Sequence, residues 1–143
     1  MRTVEVNARY GARPEEVWAI LCDLPRWSEW LAIHKAWKSD VPNPVTRGVV
    51  VTAAAVVMNM PISIDWTVED VAEPHSLVMG GTTRAGVKLA LAVDLRAESG
   101  GTTVAMAANI EGGMIDGPMG GMFKRSLVGA LDKSLKKAEA LLA

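Results

Sequence analysis

Cysteine is almost missing from this chain: Cys22 is the one thiol in 143 residues. No internal disulfide can form, and a reducing compartment suits such a sequence best. An excess of either charge is missing too. Fifteen basic residues stand against sixteen acidic ones, a formal net charge of −1. That balance supplies no broad positive field for a phosphate backbone, so nucleic acid is not expected as a partner. No stretch approaches the roughly 18 uninterrupted apolar residues of a membrane span. The first eleven residues alternate apolar with polar and lack the apolar core of a secretion signal. The cytoplasm is the expected location.

The chemistry-bearing patterns are equally sparse. His34 and His75 lie far apart, with no cysteine or carboxylate cluster at ligand spacing, so no metal site is expected. G-x-x-x-x-G-K-[ST] and G-x-S-x-G are both missing, which removes the usual nucleotide cradle and the hydrolase elbow. No cofactor is expected. One Phe and one Tyr accompany five Trp.

What the chain does have is apolar mass: half its residues, with Ala, Val and Met prominent. Disorder is thereby disfavoured, and the length suits one domain over residues 1–143. Short side chains fill little volume per position, so a sheet lined with them is expected to leave space.

Periodicity places the elements. Val4, Val6, Ala8 and Tyr10 alternate with polar neighbours as in a half-buried strand. Pro14, followed by Glu15 and Glu16, opens a helix with Val17, Trp18, Ile20 and Leu21 on its apolar side. Pro25 opens a shorter helix bearing Trp27, Trp30 and Leu31. Strands follow over residues 33–39, 48–58, 62–69, 76–82, 87–96 and 102–111, with Asn59 and Pro61 expected to bound two of them. Short connections imply antiparallel neighbours. From Met119 onward, apolar residues recur at helical spacing to Leu142, opposite a face of lysines and acids.

The expected fold is therefore α+β. A curved antiparallel sheet of about seven strands carries two short helices after its first strand, and a long C-terminal helix lies over its concave face. Where sheet and helix separate, a cavity is expected.

This order resembles the helix-grip SRPBCC superfamily, which includes START-type lipid carriers, polyketide cyclases/dehydrases and pollen-allergen-like proteins. The local match is Ala12-Arg13-Pro14-Glu15-Glu16-Val17-Trp18, then Asp23 and Trp27-Ser28-Glu29-Trp30-Leu31. It looks like the superfamily's opening-helix signature, and the element order extends the likeness along the chain. A narrower likeness, through residues 30–37, Met60-Pro61, Trp66-Thr67, Gly86-Val87-Lys88 and Gly117-Pro118, is to an actinobacterial set. One member of that set is the toxin half of a type II toxin–antitoxin pair. The resemblance implies the fold and an apolar ligand.

Candidate site residues follow from that cavity. Trp30, Trp66 and Leu91 are apolar-face candidates for ligand contact, although pinning the short helices is the stronger role for Trp18, Trp27 and Trp30, and Trp66 serves equally to fill the core. Met119, Met122 and Phe123 stand at the expected entrance, where flexible methionine suits varied apolar shapes. Gly120 and Gly121, costly inside a helix, suggest a gate there. His34 is a candidate proton-transfer group, with a hydrogen-bonded structural histidine as its competitor. Asn109 and Arg84 are candidates for polarising a ketone oxygen, with a solvated surface role competing for Arg84.

Three functions fit. The first is binding of a hydrophobic small molecule, a lipid, polyketide or aromatic metabolite. The second is a cofactor-free polyketide cyclase/dehydratase using His34, Arg84 or Asn109. The third is a toxin with a small antitoxin protein as partner. A homodimer is compatible with each.

Overall fold

A computed structural model describes residues 2–42, 45–84, 86–118 and 120–142, the side chains of Arg2, Met114 and Ile115 excepted. Seven strands form one wholly antiparallel sheet in the order β1-β7-β6-β5-β4-β3-β2. They are β1 (Arg2–Tyr10), β2 (His34–Trp37), β3 (Val50–Val57), β4 (Met60–Ala72), β5 (Ser76–Thr82), β6 (Lys88–Glu98) and β7 (Gly101–Glu111). The helices are α1 (Pro14–Leu21), α2 (Trp27–Trp30) and α3 (Gly120–Leu141). The expected α+β helix-grip architecture is what the chain adopts.

Local chemistry explains each start and stop. Pro14 occupies the first turn of α1, where its missing N–H costs nothing, and Glu16 Oε1 accepts from Arg13 Nε at 3.0 Å just ahead of it. A helix ends with unpaired carbonyls. Here the indole N–H of Trp30 donates to Ile20 O at 3.1 Å, and that of Trp27 to Leu21 O at 3.0 Å. The Pro25 helix begins as a 3-10 turn, Leu24–Arg26, whose Leu24 O takes the Trp37 indole N–H at 2.7 Å.

Pro61 lies inside β4 and does not bound it. It pairs with Val56 one step beyond the turn, while β5 reaches β4 only from Asp65. The side of β4 that Pro61 leaves without a donor therefore has no neighbour to disappoint. Gly120 and Gly121 are likewise the first residues of α3 and not its interior, so the interior glycine penalty does not apply.

The core occupies the concave side. Val51, Ile64, Val68, Leu77, Met79, Val93, Val104, Met106 and Ile110 are almost wholly buried there. Helix α3 packs chiefly on β1, with smaller contacts to α2, α1 and β3. Its later turns seat fully: Leu131, Ser134, Leu135 and Ala138 are buried. The Tyr10 hydroxyl donates to Leu135 O at 2.5 Å, and Ser134 Oγ accepts from Ala32 N at 2.7 Å while donating to Ala130 O.

Candidate functional site

The early turns of α3 seat differently. Between them and the β3–β4 end of the sheet lies a cavity of about 290 Å³. Three segments frame it. The two-residue turn Met58-Asn59, with φ of 53° and 61°, is a primed hairpin turn that sets Val57, Met60, Pro61 and Ile62 along one rim. The β5–β6 turn is closed by Thr83 N donating to Val87 O at 3.0 Å and Val87 N donating to Thr83 Oγ1 at 3.3 Å. It contributes Thr83 and Val87, with Leu89 beyond. Phe123 and Leu127, one helical turn apart, form the roof, and Ile33 and Ile64 close the floor.

Among the described residues the lining holds one side-chain hydroxyl, that of Thr83, and no titratable group. Burying a polar group without a partner is expensive, so such a lining selects hydrocarbon. Met60 belongs to both worlds, lining the cavity while 40% exposed.

The sequence candidates fall in four places. Phe123 lines the cavity. Met122 beside it turns outward, 49% exposed, and Met119 lies outside the described residues. Trp30, His34 and Trp66 are buried but off the lining, gathered round Trp27. The Trp27 ring meets Trp66 at 6.0 Å, Trp30 at 6.4 Å and His34 at 5.9 Å edge-on, and Trp37 at 5.3 Å with the rings tilted by 34°. Leu91 is core, also off the lining. Asn109 is a correction: its place in the alternation of β7 puts it on the outer face, where its Oδ1 accepts from Thr3 Oγ1 at 2.8 Å. Arg84 is exposed in the β5–β6 turn and equally removed from the lining.

His34 is 8% exposed, and its Nε2 has no hydrogen-bond partner. Burial among indole rings lowers its pKa from 6.5 to about 4, which holds the imidazole neutral. Desolvation also raises the Cys22 thiol and the Tyr10 hydroxyl well above their ordinary values, so both stay protonated.

Ile33, Val57, Met60, Pro61, Ile62, Ile64, Thr83, Val87, Leu89 and Leu127 line the cavity without having been singled out. Alternation does set Ile62, Ile64, Val87 and Leu89 on the dry face, which was the available signal. The outer face carries a separate open hollow of about 640 Å³, bordered by Asp65, Thr67, Glu69, Lys88, Asn109 and Glu111.

Residues 1–143 match the family described as polyketide cyclase / dehydrase and lipid transport. The uncharacterized protein Rv1546 of Mycobacterium tuberculosis is 30% identical over 137 residues, spanning 96% of each chain. A second protein of that organism, named Toxin Rv0910, is 32% identical over 130 residues, 91% of this chain and 90% of its own. Among solved structures, protein MLL2253 from Mesorhizobium loti superposes with a TM-score of 0.78 at 19% identity, covering 99% of this chain and 96% of that one. At that identity the likeness speaks for the fold.

Proposed function

The chain belongs to the polyketide cyclase / dehydrase and lipid transport family, and on that premise we propose that it binds a hydrophobic small molecule in the cavity under the first turns of α3. The observation that carries this reading is the lining: ten apolar residues and Thr83 around about 290 Å³. An apolar guest there exchanges contact with water for contact with Ile64, Leu89, Phe123 and Leu127, a gain proportional to buried area. The cyclase/dehydratase alternative needs a proton-transfer group at the substrate. His34, Arg84 and Asn109 all stand off the lining, so the geometry favours holding over transforming. The single cysteine continues to favour a cytoplasmic setting.

The test is titration of the purified protein with a neutral fluorescent probe such as N-phenyl-1-naphthylamine. Saturable binding is expected in the wild type and its loss in Leu127→Trp, whose ring would occupy the void. Absence of binding by any apolar probe would overturn the reading.

Toxin Rv0910 supplies the observation for a second reading, at 32% identity. It expects growth arrest on overexpression in a mycobacterial host, relieved by a small antitoxin protein encoded beside it. Unimpaired growth at high expression would count against it.

A further inference from the structure

At the end of β5 successive residues turn to opposite faces of the sheet. Gly81 is buried on the concave side, Thr82 is exposed and borders the outer hollow, and Thr83 turns back to line the cavity. Three hydrogen bonds fix Thr83 in that place. Its N donates to Val87 O at 3.0 Å, its O accepts from Gly86 N at 3.2 Å, and its Oγ1 accepts from Val87 N at 3.3 Å. Among the described residues no hydrogen bond has the Thr83 hydroxyl as donor.

A threonine hydroxyl has one proton to give and two lone pairs to receive with. The Val87 N–H takes one lone pair and polarises the O–H, which makes it a better donor and a poorer acceptor. A hydrocarbon guest seated against Thr83 would shut water away from that proton and return nothing, which works against binding. An acceptor oxygen at the same point restores the bond. A carboxylate carries such oxygens as well, but no titratable side chain lines the cavity to balance its charge. Burying an unpaired charge costs far more than losing a hydrogen bond.

We infer that the cavity selects an uncharged apolar guest bearing a carbonyl or ether oxygen, and that Thr83 recognises it by donating its O–H to that oxygen. This rests on the reading that the cavity is a ligand site, and adds to it the polar atom of the guest, the guest's charge and the residue that reads both. The remainder of the guest is free to vary, since the other walls are apolar and Met60 leaves the rim open to solvent.

Three probes of nearly one shape test the inference: 2-acetonaphthone, its hydrocarbon isostere 2-isopropenylnaphthalene, and 2-naphthoate. Each competes with bound N-phenyl-1-naphthylamine on the whole chain at neutral pH. In the wild type the ketone is expected to bind at least about tenfold more tightly than the carboxylate. Thr83→Val should weaken the ketone about five-fold and alter the hydrocarbon by less than about two-fold, as loss of one neutral hydrogen bond requires, and Thr83→Ser should restore the ketone. Infrared difference spectra of the wild type, edited by carbon isotope, should place the bound carbonyl stretch below its position in hexane. Packing alone does not produce that shift, and Thr83→Val should abolish it. A carbonyl stretch at its hexane position, equal losses of ketone and hydrocarbon in Thr83→Val, a carboxylate bound as tightly as the ketone, or a ketone that fails to displace the bound probe overturns this inference while the cavity remains a ligand site. Binding of none of the three, nor of the fluorescent probe, overturns the underlying reading with it.

Discussion

His34 sits where a positive charge is hard to sustain. Its folded pKa of about 4 lies below the ordinary 6.5, so between those values the unfolded chain binds the proton more readily than the folded one. Stability is therefore full above about pH 6.5 and declines as pH falls through the window, by about 2 kcal/mol at pH 5 and about 3 kcal/mol once both states are protonated. Urea unfolding at neutral pH and near pH 5 should show that loss, and His34→Phe should flatten this part of the profile. Gly81 is a second sensitive position. A methyl there would come within 2.9 Å of Ile64 Cγ2 and 3.0 Å of Trp66 Cε3, so Gly81→Ala is expected to destabilise by about 1–3 kcal/mol in the same assay. At this scale the sequence was half readable. Alternation says which way Trp66 and Leu91 point, but not whether a void or a neighbour waits there. For His34 and Trp30 the neighbours are other rings brought in from β2, β4 and α2, a convergence no local pattern contains.

Among elements, the seat of α3 depends on one hydroxyl. Ser134 Oγ satisfies Ala32 N, which joins the exit of α2 to the middle of α3. Ser134→Ala would leave that amide without its partner, at an expected cost of about 1–3 kcal/mol, with faster hydrogen exchange at Ala32 as the local sign. Element order and type were legible because long strands alternate cleanly and α3 keeps its helical period over 22 residues. Boundaries were less so. Pro61 reads as a stop only when one assumes that both sides of β4 are paired, and β5 is simply too short to reach it. The glycine pair reads as interior only when the helix is begun a residue early.

For the whole molecule, a void was foreseen, but for another cause. Alanines were expected to line it; Ala53, Ala55 and Ala108 do face the concave side but stand off the lining, and Ala54, Ala90, Ala92, Ala105 and Ala107 occupy outer-face positions, half-buried. The walls are bulky aliphatics, and space persists because α3 lies over β1 and does not cover the opposite rim. That asymmetry depends on relative placement of distant elements, which composition cannot report. An unfilled cavity forfeits contacts that a larger side chain can restore. Val57→Phe is thus expected to keep or raise the melting temperature while abolishing the rise that N-phenyl-1-naphthylamine should give the wild type, a rise that follows from binding to the folded state alone. Thermal unfolding of both proteins, with and without the probe, reads this directly.

The sheet order joins β1 to β7, pairing Arg2 with Ile110 and Tyr10 with Thr102. Every other pairing is between strands adjacent in the chain. On the ribosome, then, β1 must wait for a strand made about a hundred residues later: at roughly 5–20 residues per second it stays without its partner for some 5 to 20 seconds. Its alternation of Glu5, Asn7 and Arg9 with the apolar positions keeps that solitary ribbon soluble in the meantime, and pulse-labelled nascent chains should show it unprotected until β7 clears the tunnel.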